Sequence, residues 1–221
     1  SMAKAIIARA SLLRSKTDDF LKDKKLIKKV GQANKKLQSK LAPVVGNIPA
    51  DKRELFIVEG DSAGGSAIRA RNKSFQAIYP LKGKPLNAME ASKDKSQNNA
   101  EIVGLLAAIG VGAESKSAKG FVPSYGKIIL RADADVDGSH VNTLLLGNLH
   151  KFCPSLIDNG HVYTVRSPLY KGRHKNVVYF GMTREEVWKQ ASAQCDTTYL
   201  KGWGELSPED MNVALDPEVR T

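Results

Sequence analysis

The stretch Lys127-Ile-Ile-Leu-Arg-Ala-Asp-Ala-Asp-Val-Asp-Gly-Ser-His140 joins an apolar run to three carboxylates at alternate positions, Asp133, Asp135 and Asp137. Ile128-Ile-Leu130 reads as a strand. In an extended backbone, residues two apart point the same way. The spacing therefore predicts three negative charges aimed at one spot where the strand ends. Gly138 is expected to permit a turn. Like charges brought together resist ionisation unless a cation neutralises them. The fitting ion is hard and oxygen-seeking, such as Mg²⁺. A solvated acidic turn is the other reading of an isolated Asp-x-Asp-x-Asp.

A second strand end carries a matching acid. Leu55-Phe-Ile-Val58 reads as a short buried strand ending in Glu59, and Gly60-Asp-Ser-Ala-Gly-Gly65 turns into a helix over 66–71. Gln76-Ala-Ile-Tyr-Pro-Leu-Lys-Gly-Lys-Pro-Leu-Asn87 reads as a strand leading into a basic loop. Apolar spacing predicts helices over 98–109 (Ile102, Leu105, Leu106, Ile109) and 141–152 (Val141, Leu144, Leu145, Leu149). Residues 110–126 read as a loop. Strands are expected at 161–165 and 177–180, the latter paired in a hairpin with the segment around Leu169. Thr183-Arg-Glu-Glu186 has the form of a capping box, and 199–206 reads as a strand and turn. Strands alternating with helices predict an α/β fold with a mainly parallel sheet flanked by helices. Sites in such sheets form at the carboxyl ends of strands, where Glu59 and the aspartates both fall.

Charge is unevenly spread over the 221 residues, whose net charge is +11. Residues 1–53 hold 14 Lys/Arg against 4 Asp, and residues 54–221 hold 20 Lys/Arg against 19 Asp/Glu. The first segment reads as a basic leader of two helices, 3–14 and 18–42, closed by a linker at Pro43, Gly46 and Pro49. Such a flank suggests a polyanionic partner, nucleic acid before acidic lipid. Cys153 and Cys195 form no Cys-x-x-Cys pair, which fits a reducing cytosol and argues against a zinc or disulfide framework. No apolar stretch approaches membrane-spanning length. Ser1-Met2 reads as an added start, so the chain is expected to be a piece of a longer protein.

Three other chemistries compete for these motifs. A phosphate-binding P-loop needs Lys-[Ser/Thr] after its second glycine, and Ser66-Ala67 stands there instead. Gly60-Asp-Ser-Ala-Gly64 fits the nucleophile elbow of an esterase, with Ser62 as nucleophile and His140, His161 or His174 to complete a triad. No oxyanion loop precedes it. Asp133-x-Asp-x-Asp-Gly138 opens like a calcium loop, but Leu144 occupies the position of the required glutamate. The remaining reading pairs Glu59 with the aspartates as a Mg²⁺ site with a spare carboxyl for proton transfer. Lys82 and Lys84, with Arg69, Arg71 and Lys73 in a basic stretch, would hold phosphates for it.

Taken together, Glu59-Gly-Asp-Ser-Ala-Gly-Gly-Ser-Ala67, Pro80-Leu-Lys-Gly-Lys84 with Leu86-Asn87, and Asp133-Ala-Asp-Val-Asp-Gly-Ser-His140 resemble the Toprim domain of type IIA topoisomerase B subunits, those of DNA gyrase and topoisomerase IV. His161-Val-Tyr163, Pro168-Leu-Tyr-Lys171, Lys201-Gly-Trp-Gly-Glu205 and Asp216-Pro-Glu218 extend the match over about 54–221. Trp203 stands where the family usually has leucine, Pro85 where an aliphatic residue is common, and the lysine-rich leader at 16–40 is unlike the usual lead-in.

The resemblance implies a Toprim, Rossmann-like sheet over 54–170, preceded by the basic helical leader of 1–53 and followed by a small extension over 171–221. It implies Glu59, Asp133 and Asp135 as catalytic residues. It implies one or two Mg²⁺ ions held by these three, with Asp137 in support. Lys82, Lys84, Arg71, Lys73, His140 and Lys201 would face DNA, and Asp61 and Lys82 would lie beside a quinolone-type drug. The implied partners are double-stranded DNA and an A subunit carrying the catalytic tyrosine, in an A2B2 heterotetramer. ATP would be used only by the full-length protein. The setting would be cytoplasmic, at the nucleoid, with no membrane. Gyrase-like and topoisomerase IV-like parents fit the residues alike, and the alternatives are an α/β-hydrolase-type esterase with Ser62 in its elbow or a stand-alone Toprim nuclease.

Overall fold

The structure, a computed structural model, describes Leu26 and residues 28–30, 32–33, 40–111, 123–133, 135–165 and 167–217. Four parallel strands, β1 (Glu54–Glu59), β2 (Gln76–Leu81), β3 (Lys127–Arg131) and β4 (Val162–Thr164), lie in the order β2-β1-β3-β4. The helix α1 (Asp61–Ala70) follows β1, α2 (Lys93–Asn98) and α3 (Ala100–Ile109) follow β2, and α4 (Val136–Phe152) with α5 (Pro154–Asp158) follows β3. The expected α/β architecture is present, a parallel sheet flanked by helices.

The strands are apolar at successive positions because both faces are covered. Leu55, Ile57, Ala77, Tyr79, Ile128 and Leu130 pack on one face with α3 and α4. Phe56, Val58, Ile78 and Ile129 pack on the other with α1 and the last helix. Each fully buried aliphatic or aromatic side chain is worth about 1.5–3 kcal/mol. The helix α1 approaches closely because its inner face is small, with Ala63, Ala67 and Gly64, where a methyl group would sit 2.8 Å from Pro80 Cβ. Pro80 is tolerated in β2 because that strand lies at the sheet edge. Ala42 covers part of this edge, trading backbone hydrogen bonds of 2.9 and 3.0 Å with Ile78.

A second, antiparallel sheet, β6-β5-β7, is built from β5 (Tyr170–His174), β6 (Val177–Gly181) and β7 (Thr197–Tyr199). The predicted hairpin is its core, with Lys175 and Asn176 both at positive φ in the turn, as a tight hairpin requires. In the capping box before α6 (Arg184–Ala191), Thr183 accepts from the Glu186 amide. Glu186, however, accepts from the Met182 amide rather than from Thr183. The chain then returns to the main sheet through a 3-10 turn (Trp203–Glu205) and α7 (Pro208–Leu215). Gln76 Nε2 donates to Leu215 O at 2.9 Å and Asn212 Nδ2 to Ala70 O at 2.7 Å. Asp210 on α7 accepts from Lys171 at 2.9 Å and Arg173 at 3.4 Å, tying the two sheets together. Burial works to raise its carboxyl, but hydrogen bonds from Lys171 and Ser207 and the two nearby cations outweigh that and hold it below the usual range.

Several boundaries differ from expectation. The helix α1 starts at Asp61 rather than Ser66, and α4 starts at Val136 rather than Val141. The helix expected over 98–109 is α3, which starts at Ala100 with Asn99 as its cap and buries Ile102, Leu105, Leu106 and Ile109 together with Val103, Ala107 and Ala108. The expected helix at 3–14 and much of that at 18–42 lie outside the described residues, as do 112–122 of the expected loop. Leu26 and Val30 are buried in the same core as Leu55. Among the described residues, no helix is long and apolar enough to cross a membrane.

Candidate functional site

The carboxyl ends of β2, β1 and β3 lie side by side and gather most of the sequence-predicted residues. Val58 pairs with Arg131 and Glu59 with Leu81, so Glu59 ends the central strand with Asp133 just past its neighbour on one side and Lys82 on the other. Gly60, at φ 79°, makes the turn from β1 into α1, a conformation glycine reaches without strain. Gly83, at φ 72°, does the same between Lys82 and Lys84. The loop after them is anchored to α4, whose Asn148 accepts from the Ala88 amide and whose Lys151 donates to Ala88 O.

Glu59 is the electrostatic centre of this end. Burial, then the neighbouring Asp133 carboxylate, raises its carboxyl above the ordinary range. The Asp133 amide partly offsets this, while Asp135 and Asp137 add to it. Glu59 Oε2 is buried and has no hydrogen-bond partner among the described residues. Two carboxylates side by side with an unsatisfied oxygen are short of positive charge.

The aspartates do not line one face of an extended strand. Asp133 lies in the loop after β3. Asp135 is the N-cap of α4, its Oδ1 accepting from the Gly138 amide at 2.7 Å. Asp137 is in the first helical turn, exposed, and paired with Lys84 Nζ at 2.9 Å. The Lys84 hydrogen bond and charge hold the Asp137 carboxyl below its ordinary value, and His140 helps. Gly138 is not a turn residue either. It is helical, and a methyl group there would collide with the Asp133 backbone.

Among the described residues, no three His, Cys, Asp or Glu side chains stand close enough to enclose an ion. The donor set nevertheless fits Mg²⁺. That ion keeps several waters and needs only one or two carboxylates before a substrate phosphate. Glu59 and Asp133 supply such a pair, with Asp135 exposed beside them.

Other predicted residues divide between the two ends of the sheet. Lys82, Asp61 and Lys201 are exposed at the carboxyl end, and His140 lies next to Asp137 on α4. Arg71 and Lys73 are not brought there. They follow the end of α1 and precede β2, which puts them at the amino end of the sheet. Arg71 donates to Ile68 O and Pro43 O, and Lys73 O accepts from the Val45 amide. The esterase arrangement is not assembled. Ser62 makes no hydrogen bond to a histidine among the described residues, and His161 contacts Gly126 O at the amino end.

Sequence reasoning placed Lys201 in the loop 201–206 but missed the hold of that loop on Asp133. The Trp203 amide donates to Asp133 Oδ1 at 3.0 Å, and Gly202 lies against the same carboxylate. Arg131, only 1% exposed, stacks on the Trp203 ring with its guanidinium carbon 3.2 Å from the ring centre. The signal was the Gly-Trp-Gly pattern itself, since paired glycines mark close backbone approach.

A family model described as the Toprim domain matches residues 54–167. The DNA gyrase B subunit of Thermus thermophilus is 37% identical, over 99% of this chain and 36% of that protein. The DNA gyrase B subunit of Haloferax volcanii is 42% identical over 83% and 29%. The DNA topoisomerase 4 B subunit of Escherichia coli is 38% identical over 89% and 32%. The chain thus spans about a third of the length of the curated relatives it matches. A crystal structure of the DNA-binding, cleavage and re-ligation domain of Plasmodium falciparum topoisomerase II superposes with a TM-score of 0.63. It is 28% identical, covering 78% of this chain and 25% of that one.

Proposed function

From the premise that this chain belongs to the Toprim domain family, alongside the B subunits of DNA gyrase and topoisomerase IV, we propose that it is the Mg²⁺-binding half of a composite DNA cleavage–religation centre. The observation that carries this is the pair of carboxylates at adjacent strand ends, one with a buried unsatisfied oxygen. Lysines from the next strand stand at the same end.

In this reading a tyrosine oxygen of an A subunit attacks a DNA phosphorus. The tyrosine hydroxyl gives up its proton as the tyrosyl–phosphate bond forms, the bond to the 3′ oxygen breaks, and that oxygen takes up a proton. Religation runs the same exchange backward. Glu59, Asp133 and Asp135 would hold Mg²⁺, with Asp137 in support. When bound, the ion would stabilise negative charge on the phosphate and the leaving oxygen. Glu59 is the group with a carboxyl poised to move a proton. Lys82, Lys84, Lys201 and His140 would hold the DNA backbone at this end, and positioning would supply much of the rate. Asp61 and Lys82 flank the place where a quinolone-type drug would sit. Arg71 and Lys73 would meet DNA only where it passes the opposite end.

The working assembly is an A2B2 heterotetramer on double-stranded DNA in the cytoplasm, with ATP used by the full-length protein. Residues 1–53 act as the leader, 54–170 as the Toprim unit and 171–221 as its extension.

The test mixes the full chain, a tyrosine-bearing A subunit, supercoiled plasmid and Mg²⁺. Cleavage should require all of them and should vanish with Asp135→Asn while the fold survives. Efficient cutting by the chain alone would replace this reading with a stand-alone Toprim nuclease. Ester hydrolysis lost in Ser62→Ala would replace it with the hydrolase.

A further inference from the structure

Asp133 is pressed from two directions by glycines, one five residues on and one in the extension. Gly138 lies against its backbone, and Gly202 lies against its carboxylate. Gly202 has φ −172°, extended backbone that any residue adopts, so glycine is needed there only for space. A methyl group on Gly202 would sit 2.6 Å from Asp133 Oδ2 and 2.8 Å from both Cγ and Oδ1. The next residue supplies the hydrogen bond, the Trp203 amide donating to Oδ1 at 3.0 Å.

The loop that carries these two residues is itself fixed to the approach of Asp133. The Trp203 ring stacks on Arg131, and its Nε1 donates to Ser167 Oγ. Ser167 Oγ donates in turn to Ala132 O. Arg131 and Ala132 are the two residues that lead into Asp133, so the loop and the carboxylate share one frame of reference. Leu200, Trp203 and Leu206 are buried in the core layer beneath.

We propose that Gly202 and Trp203 are positioning residues for the Asp133 carboxylate, setting its rotamer by one amide hydrogen bond and one absent side chain. They thereby set the divalent-cation affinity of the Glu59–Asp133 pair. The inference rests on the metal-site reading above. It assigns to the extension, beyond the 54–167 match, the task of completing the site. Partners that orient a ligating carboxylate typically change metal affinity by about 10–100-fold when lost.

The test is calorimetric titration of MgCl₂ into the full chain, as wild type, Asp133→Asn and Gly202→Ala. Asp133→Asn should abolish binding. Gly202→Ala should weaken it about tenfold or more while the metal-free melting temperature holds, because the displaced atoms are a side-chain carboxylate rather than backbone. Binding that survives Asp133→Asn overturns the metal-site reading itself. Binding lost in Asp133→Asn but within about twofold of wild type in Gly202→Ala, below the range expected for such partners, overturns only the positioning role. A measurement on the wild type decides the matter if Gly202→Ala fails to fold. Saturating Mg²⁺ should move the Trp203 backbone amide resonance, since its acceptor becomes a ligand, and an unmoved resonance overturns the proposal.

Discussion

The strand β1 begins and ends with a glutamate, and the two have opposite fates. Glu54 is 4% exposed, accepts from Gln76 Nε2 at 3.0 Å and lies 3.7 Å from Lys127 Nζ. Gln76 is held in turn by Leu215 O. Glu59, five residues on, has a buried oxygen without a partner and another carboxylate beside it. Both are the same residue on the same strand, so the difference comes from the surroundings. The amino end surrounds its acid with donors. The carboxyl end surrounds its acid with acids, and the Lys84 ammonium there is paired with Asp137 rather than with Glu59. Compensated charge at one end serves the fold, and uncompensated negative charge at the other is what a cation would neutralise.

The contrast breaks most visibly at Glu59. Glu59→Gln should cut Mg²⁺-dependent DNA cleavage by the reconstituted enzyme by about 10²–10⁴-fold, the usual range for a lost acid–base group. The melting temperature should hold or rise, because the substitution removes a poorly solvated charge. A protein that melts earlier without Glu59 would mean that both glutamates are structural. Glu54→Ala should do the reverse. It should cost about 2 kcal/mol in urea unfolding, the scale of lost hydrogen bonds to a charged group, and leave cleavage intact.

Acidity sharpens the comparison more gently. Glu59 holds its proton more tightly in the folded chain than in the unfolded one. Metal-free stability should therefore fall as pH rises from the ordinary glutamate range through the raised value, and Glu59→Gln should flatten that slope in pH-dependent melting. The smallest effect belongs to the Lys84–Asp137 pair, which is exposed on both sides. Lys84→Ala should leave the melting temperature unchanged, since surface pairs contribute little. It should lower the salt slope of DNA binding by about one, the signature of one lost phosphate contact.

Much of this was legible in the chain itself. The runs at Leu55, Ala77 and Ile128 are strands, and Glu59 and Asp133 meet because their strands are neighbours. What was not legible has particular causes. The start of α4 was hidden because Asp137-Gly-Ser-His140 has no apolar periodicity. Only the capping role of Asp135 marks it, and that puts Asp137 in the first helical turn, paired with Lys84, rather than at a strand end. Arg71 and Lys73 are close in sequence to Lys82, yet β2 separates them by its whole length. At about 3.3 Å per residue in a parallel strand, six residues span roughly 20 Å. The hold of Trp203 on Asp133 joins residues 70 apart, so the Gly-Trp-Gly pattern marks a close approach without naming what it approaches.

The bridge between Ala42 and Ile78 also bears on how the molecule can be handled. An uncovered outer strand is a template on which identical molecules stack, and β2 is one of the two outer strands here. Its middle is sealed by residues that precede the family match at 54, and Arg71 fastens the same segment through Pro43 O. A piece trimmed to residue 54 would bare that seam to its own copies and should scatter light at concentrations where the whole chain stays clear. The practical edge of the domain therefore lies at or before residue 42, where the described chain closes the sheet.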